Sequence, residues 1–205
     1  MLIPCNAVDR KKTASFIPKA TTPKLPITSI SLAISLLHLT AKDRNQNPSH
    51  NNKPTSSELK LVVVGDGQER LKLARRYRSN TQIIFTGLIK EHSQLIDILR
   101  GADAFFLPSV IEGLSLAMLE AMSSGVATIA TNVGDDGYAL EGAGIVLDPS
   151  QLTSELSAAM KSMIENPELC QDLGSQARKR VLERYSLEKN IDQVVDIYHK
   201  LTEKR

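Results

Sequence analysis

From Glu58 onward, short β-branched apolar runs alternate with segments of helical period, and this constrains the fold more than any other feature of the chain. Such alternation is the pattern of parallel strands joined by crossover helices. Four runs read as strands, at Lys60–Val64, Gln82–Phe85, Ala104–Leu107 and Ala127–Ala130, and Gly144–Leu147 adds a fifth. Each is apolar without polar alternation, so both faces of the sheet are expected to be covered. Gln68–Arg78, Ser93–Arg100 and Leu116–Ser124 carry apolar residues at intervals of three and four and read as the intervening helices. After Pro149 the pattern is helical throughout, at Leu152–Ile164, Pro167–Tyr185 and Leu187–Lys204. The expected fold is α/β: a Rossmann-like open parallel sheet flanked by helices, with a C-terminal helical tail, over residues 58–205.

Residues 1–57 are of a different character. Three prolines fall between Thr13 and Pro26, and Asp43–Ser57 is almost wholly polar. This segment reads as irregular, with one amphipathic helix over Ser29–Arg44 that places Leu32, Leu36, Leu37 and Thr40 on one stripe. Ile27–Leu39, the most apolar stretch, is shorter than the ~20 residues of a membrane-spanning helix. Two distant cysteines, Cys5 and Cys170, give neither a disulfide framework nor a zinc site, and a reducing cytoplasm is the expected compartment. With 25 Lys+Arg against 23 Asp+Glu, the charge balance carries no argument for nucleic acid.

The segment Ser109–Gly125, SVIEGLSLAMLEAMSSG, joins a strand end to a helix start. Gly113 admits close approach of a ligand, Ser115 is a helix N-cap, and the free amides around Leu114, Ser115 and Leu116 would point into the crevice at the strand's carboxyl end, where a diphosphate is stabilised. Glu120 lies four residues after Leu116, on a stripe where a carboxylate needs a reason, and two ribose hydroxyls would satisfy its oxygens. Glu112 sits on the loop at the mouth of the crevice. The alternative is that Glu112 is a solvated loop residue and Glu120 an ordinary surface glutamate. Gly65-Asp66-Gly67 also invites a dinucleotide reading, but Arg70 occupies the third glycine position of G-x-G-x-x-G, where bulk obstructs helix–strand packing. The helix it opens is basic, with Arg70, Lys72, Arg75, Arg76 and Arg78, and reads as a solvated face or, alternatively, as a contact with an anionic membrane surface. His38, His50, His92 and His199 share no motif and read as structural or exposed, and Asp135, Asp136 and Glu141 read as a solvated turn.

The stretch EGLSLAMLEAMSSGVATIATNVG closely resembles the E-x7-E motif of retaining GT-B glycosyltransferases of the glycosyl transferases group 1 type. LVVVGDGQER at 61–70, IFTGL at 84–88, ADAFFLPS at 102–109 and AGIVLDP at 143–149 match flanking motifs in the same order, and IPCNAVDR at 3–10 is similar to the segment that opens the donor-binding half. The resemblance implies a single GT-B half that binds a UDP-sugar or GDP-sugar and serves transfer of a hexose to a hydroxyl acceptor, without a required metal or other cofactor. It implies a catalytic-centre role for Glu112 beside the donor sugar, ribose contacts for Glu120, diphosphate and sugar contacts for the amides of Gly113, Leu114, Ser115 and Leu116, and base contacts for the backbone of Gly87, Leu88 and Ile89. Gly65 and Gly67 would keep the first loop close to the cleft. The family's Arg and Lys-Gly pair should fall near Ile27–Ser35, which reads ITSISLAIS and holds no cation. The acceptor-binding half is expected on a domain or chain that this sequence does not contain, and the cytoplasm, with the membrane surface as an alternative, is the expected location. A non-catalytic nucleotide-sugar-binding subunit, or an inactive truncated fragment, is the competing reading. An epimerase ranks below both, because no catalytic acid or base can be named for it.

Overall fold

A computed structural model describes residues 59–203, together with the backbone of a strand at Ile34–Leu39. In chain order the elements are β1 (Ile34–Leu39), β2 (Leu59–Val64), α1 (Gln68–Arg76), β3 (Ile83–Gly87), α2 (His92–Gly101), β4 (Ala104–Leu107), α3 (Leu116–Ser123), β5 (Ala127–Thr131), α4 (Asp136–Leu140) and β6 (Ile145–Leu147). A 3-10 turn at Pro149–Gln151 then leads into α5 (Leu152–Glu165), α6 (Pro167–Arg184) and α7 (Leu187–Thr202). The sheet order β3-β2-β1-β4-β5-β6 is that of a dinucleotide-binding doubly wound fold.

The five strands expected after residue 58 all form, and β2–β3, β4–β5 and β5–β6 pair in parallel. The expected helix over Ser29–Arg44 is corrected where the structure describes it. Ile34–Leu39 is a strand, antiparallel to β2 on one side and to β4 on the other, so the sheet is mixed at its centre. A short, mainly apolar run such as ISLLHL fits a strand or a helix equally well by periodicity. Here the unpaired edges of β2 and β4 decide, because a strand between them satisfies the N–H and C=O groups of both. The motif at 3–10, the proline-rich and polar segments, and most of Ile27–Ser35 lie outside the described residues.

Both faces of the sheet are covered, which is why β4 and β5 are buried along their whole length. Phe105 and Leu107 point to one face and pack with Val62, Val64, Leu99, Met118 and Met122. Ala104 and Phe106 point to the other and meet Ile129, Leu147, Ala159 and Met163 from the α5 side. Helix α6 closes the structure across α3 and β5. A Cβ on Gly174 would stand 2.2 Å from the Gly125 carbonyl oxygen, so glycine is required for this close approach. The Arg178 guanidinium donates to the Ser123 carbonyl at the C-terminus of α3, where a cation also complements the helix dipole. Among the described residues no helix is long and apolar enough to cross a membrane.

Candidate functional site

The carboxyl ends of β2, β3 and β4 open onto one crevice, a cavity of about 360 Å³. This is within the range of small-molecule sites, about 300–1,000 Å³. Val64 and Gly65 from the end of β2, Leu88 and Ile89 after β3, and Leu107 at the end of β4 form one part of its lining. Glu112, Leu114, Ser115, Leu116 and Ala117, from the loop and first turn of α3, form the other.

Helix α3 is fixed from below. Met118, Ala121 and Met122 recur on one face and are fully buried. Its C-terminus closes in a Schellman arrangement, with Gly125 at φ 75°, the Gly125 N–H donating to Met122 O and the Val126 N–H to Ala121 O. Ser115 is the N-cap, as the sequence predicts, and its Oγ accepts from the Met118 N–H at 3.4 Å. No described residue accepts from the N–H groups of Leu114, Leu116 or Ala117. These amides, with the positive end of the α3 dipole, are the anion-attracting feature of the crevice, and among the described residues no Lys or Arg lines it.

One amide expected to be free is not. The Ser115 N–H donates to Asp136 Oδ1 at 2.7 Å, which removes it from the set available to a diphosphate. This also corrects the reading of Asp136 as part of a solvated turn: its side chain is fully buried, and Oδ2 has no hydrogen-bond partner among the described residues. The segment around it grips the loop at two further points. The Asp135 N–H donates to Gly113 O at 2.7 Å, and Gly134, at φ 53°, lies so close that a Cβ there would stand 2.3 Å from the carbonyl oxygens of both Glu112 and Gly113. Burial, with Glu112 and Asp135 nearby, raises the Asp136 carboxyl above the ordinary aspartate range against the lowering effect of the Ser115 N–H.

Glu112 is half-buried at the crevice mouth, where its Oε1 accepts from Ser109 Oγ at 2.8 Å. Gly113 has open space around its Cα and no positive φ, so the fold itself does not require glycine there. Glu120 lies outside the cavity lining, one turn further along α3, on the stripe shared with Leu116 and Ala117. Its side chain is 34% exposed, and its Oε1 is 3.9 Å from Nδ1 of His92, the first residue of α2. His92 is exposed, as expected, but its place beside Glu120 was not legible in a sequence where the two are 28 residues apart.

On the opposite side, Gly65 (φ 117°) and Gly87 (φ 71°) form an isolated bridge, with the Gly65 N–H donating to Gly87 O at 3.0 Å. Gly67 is buried and opens α1, its N–H donating to Asp66 Oδ1 at 2.8 Å. Lys72, Arg75, Arg76 and Arg78 are exposed, whereas Arg70 folds back, with Nε donating to Asp66 Oδ1 at 2.7 Å and the guanidinium beside Gly87. Its side chain is only 15% exposed, so the solvated-face reading of this basic run does not extend to Arg70. The bonded guanidinium holds the Asp66 carboxyl below its ordinary range. Among the described residues no cluster of three His, Cys, Asp or Glu side chains could hold a metal ion.

Comparison with known proteins adds the family to this geometry. The chain is 29% identical over 150 residues to the N-acetyl-alpha-D-glucosaminyl L-malate synthase of Bacillus anthracis, covering 71% of this chain and 38% of that protein. Sucrose-phosphate synthase from Thermosynechococcus elongatus superposes with a TM-score of 0.60 at 25% identity, over 70% of this chain and 38% of that one. Anabaena HepE, solved in complex with UDP-glucose, shares the fold with a TM-score of 0.58 at 18% identity, over 68% of this chain and 40% of its own. The chain thus spans about two fifths of the length of these proteins. The glycosyl transferases group 1 profile matches residues 39–180, more than half of the chain, and the protein belongs to that family.

Proposed function

We propose that this domain binds the nucleoside diphosphate part of a UDP-sugar or GDP-sugar in the crevice, as the donor half of a retaining glycosyltransferase that moves a hexose to a hydroxyl acceptor. The observation that carries this reading is the set of amides at Leu114, Leu116 and Ala117 that have no acceptor among the described residues, on residues that line a cavity at the carboxyl edge of the sheet, in a chain of this family. The amides and the α3 dipole hold the diphosphate and stabilise the charge that grows on it as the glycosidic bond breaks. The backbone of Gly87, Leu88 and Ile89 meets the base, and Gly65 and Gly67 let the first loop stand close to the ligand. Glu120 accepts from the ribose hydroxyls at the rim. Glu112, preset by Ser109, lies beside the donor sugar and orients its hydroxyls at the reacting centre. The acceptor hydroxyl attacks from the side on which the diphosphate departs, so configuration is retained. Neither a metal nor another cofactor is part of this proposal.

Calorimetric titration with UDP and with GDP, on the native protein and on Glu120→Ala, tests the assignment. Binding by the native protein and a marked loss in the variant are expected; equal heats for the two contradict it.

A second reading is favoured by α7. All its residues are exposed, and Ile191, Val194, Val195, Ile197, Tyr198 and Leu201 are large apolar side chains among them. An apolar helix surface of this kind suits a chain that completes its cleft with an acceptor-binding half, whether on the same or a separate polypeptide. In that case the isolated domain binds nucleotide and transfers no sugar.

A further inference from the structure

The Asp136 carboxyl is the least explained polar group in the described structure. An unpaired buried oxygen costs stability that a hydrophobic residue in its place would not. Here one oxygen accepts from the Ser115 amide and the other accepts from nothing among the described residues. The same short segment also holds Gly113 through the Asp135 N–H and abuts the Glu112 and Gly113 carbonyls through Gly134. Three successive residues, Gly134, Asp135 and Asp136, therefore fix three points of the loop that precedes α3.

We propose that Asp136 is a positioning residue for the donor-binding loop, and that it couples the affinity of the loop for a nucleoside diphosphate to its own protonation, the neutral carboxyl giving the tighter site. The inference rests on the donor-binding reading above. As a neutral acid, Asp136 anchors Ser115 through its carbonyl oxygen and places no charge behind the amides that receive the anion. As a carboxylate it keeps the anchor but sets a buried negative charge on the Ser115 amide, between those of Leu114 and Leu116, where it repels a diphosphate through a medium of low dielectric.

The groups facing Asp136 favour the neutral form. Glu112 from the loop and Asp135 from its own segment are both acidic. Strands β5 and β6, against which α4 packs, carry no titratable side chain. Among the described residues, the base shown bonded to α4 is Arg180 from α6, whose Nη1 donates to Ala139 O at 3.4 Å, three residues along from Asp136.

The test follows the Ser115 amide resonance and the binding of UDP, GDP and inorganic pyrophosphate across pH, in the native protein, Asp136→Asn and Glu112→Gln. Asparagine keeps an oxygen for Ser115 and removes the ionisation. In the ligand-free native protein the Ser115 resonance should titrate above the ordinary carboxylate range, and in Glu112→Gln the same titration should move to lower pH. UDP affinity of the native protein should fall roughly tenfold relative to Asp136→Asn as pH rises through that titration. A Ser115 resonance that does not respond to pH overturns the proposal without reference to any ligand. Binding with identical pH profiles in native protein and Asp136→Asn overturns the coupling alone, and no binding by the native protein at any pH overturns both the coupling and the donor-binding reading.

Discussion

Segment 112–117 and the two glycine turns at Gly65 and Gly87 face one another across the crevice, and they are held by different means. The first is tied to a segment some twenty residues later in the chain, through Gly134, Asp135 and Asp136. The second is tied mainly to itself, by the Gly65–Gly87 bridge and the Asp66–Arg70 pair at the start of α1. One wall thus depends on long-range packing and a buried carboxyl, while the other depends on backbone conformations that glycine supplies locally. A disturbance in α4 or β5 should reach the amides at the start of α3 and leave the Gly65–Gly87 bridge in place.

Alanine at Gly134 and at Gly87 separates the two walls. Both positions have positive φ, which costs a side-chain-bearing residue about 1–2 kcal/mol. At Gly134 the new Cβ also collides with two backbone oxygens, which adds about 1–3 kcal/mol of forced displacement. At Gly87 the nearest atoms are those of the Arg70 side chain at 4.0 Å, an ordinary contact. Thermal or denaturant unfolding should therefore show Gly134→Ala to be the more destabilised, by about 2–5 kcal/mol in total, and Gly87→Ala by about 1–2 kcal/mol. Equal losses would mean that the segment at Gly134 does not brace the loop.

The smallest stability effect is expected at Gly113. With open space and no positive φ, Gly113→Ala should leave stability unchanged or raise it by up to about 1 kcal/mol through the unfolded state. If the glycine serves close approach of a ligand, the same variant loses affinity for UDP or GDP. Full retention of binding would assign Gly113 no part in the crevice.

Much of this was legible in the sequence, for physical reasons that differ by residue. Phe105, Phe106 and Ile129 sit in runs without polar alternation because both sheet faces are covered, and that pattern is local. Ser115 was readable as a cap because capping is a matter of neighbouring residues. The strand at Ile34–Leu39 was not readable, since its partners at Leu59–Val64 and Ala104–Phe106 are remote in sequence and its own residues suit either state. Asp136 was masked by its surroundings, a glycine- and aspartate-rich run that ordinarily marks a turn. One signal pointed the other way: Asp136, Ala139 and Leu140 stand at i, i+3 and i+4, the spacing of a buried helical face, and all three are fully buried. Arg70 shows the same limit, because its inward turn depends on Asp66 and on the open space over Gly87.

The central claim is that the first amides of α3 receive a diphosphate, and the amide spectrum recorded during titration with UDP or GDP tests it most directly. The account predicts that the Leu114, Leu116 and Ala117 resonances move first and furthest, with those of Leu88 and Ile89 following. Saturable shifts confined to other parts of the molecule, with these five unmoved, would contradict it.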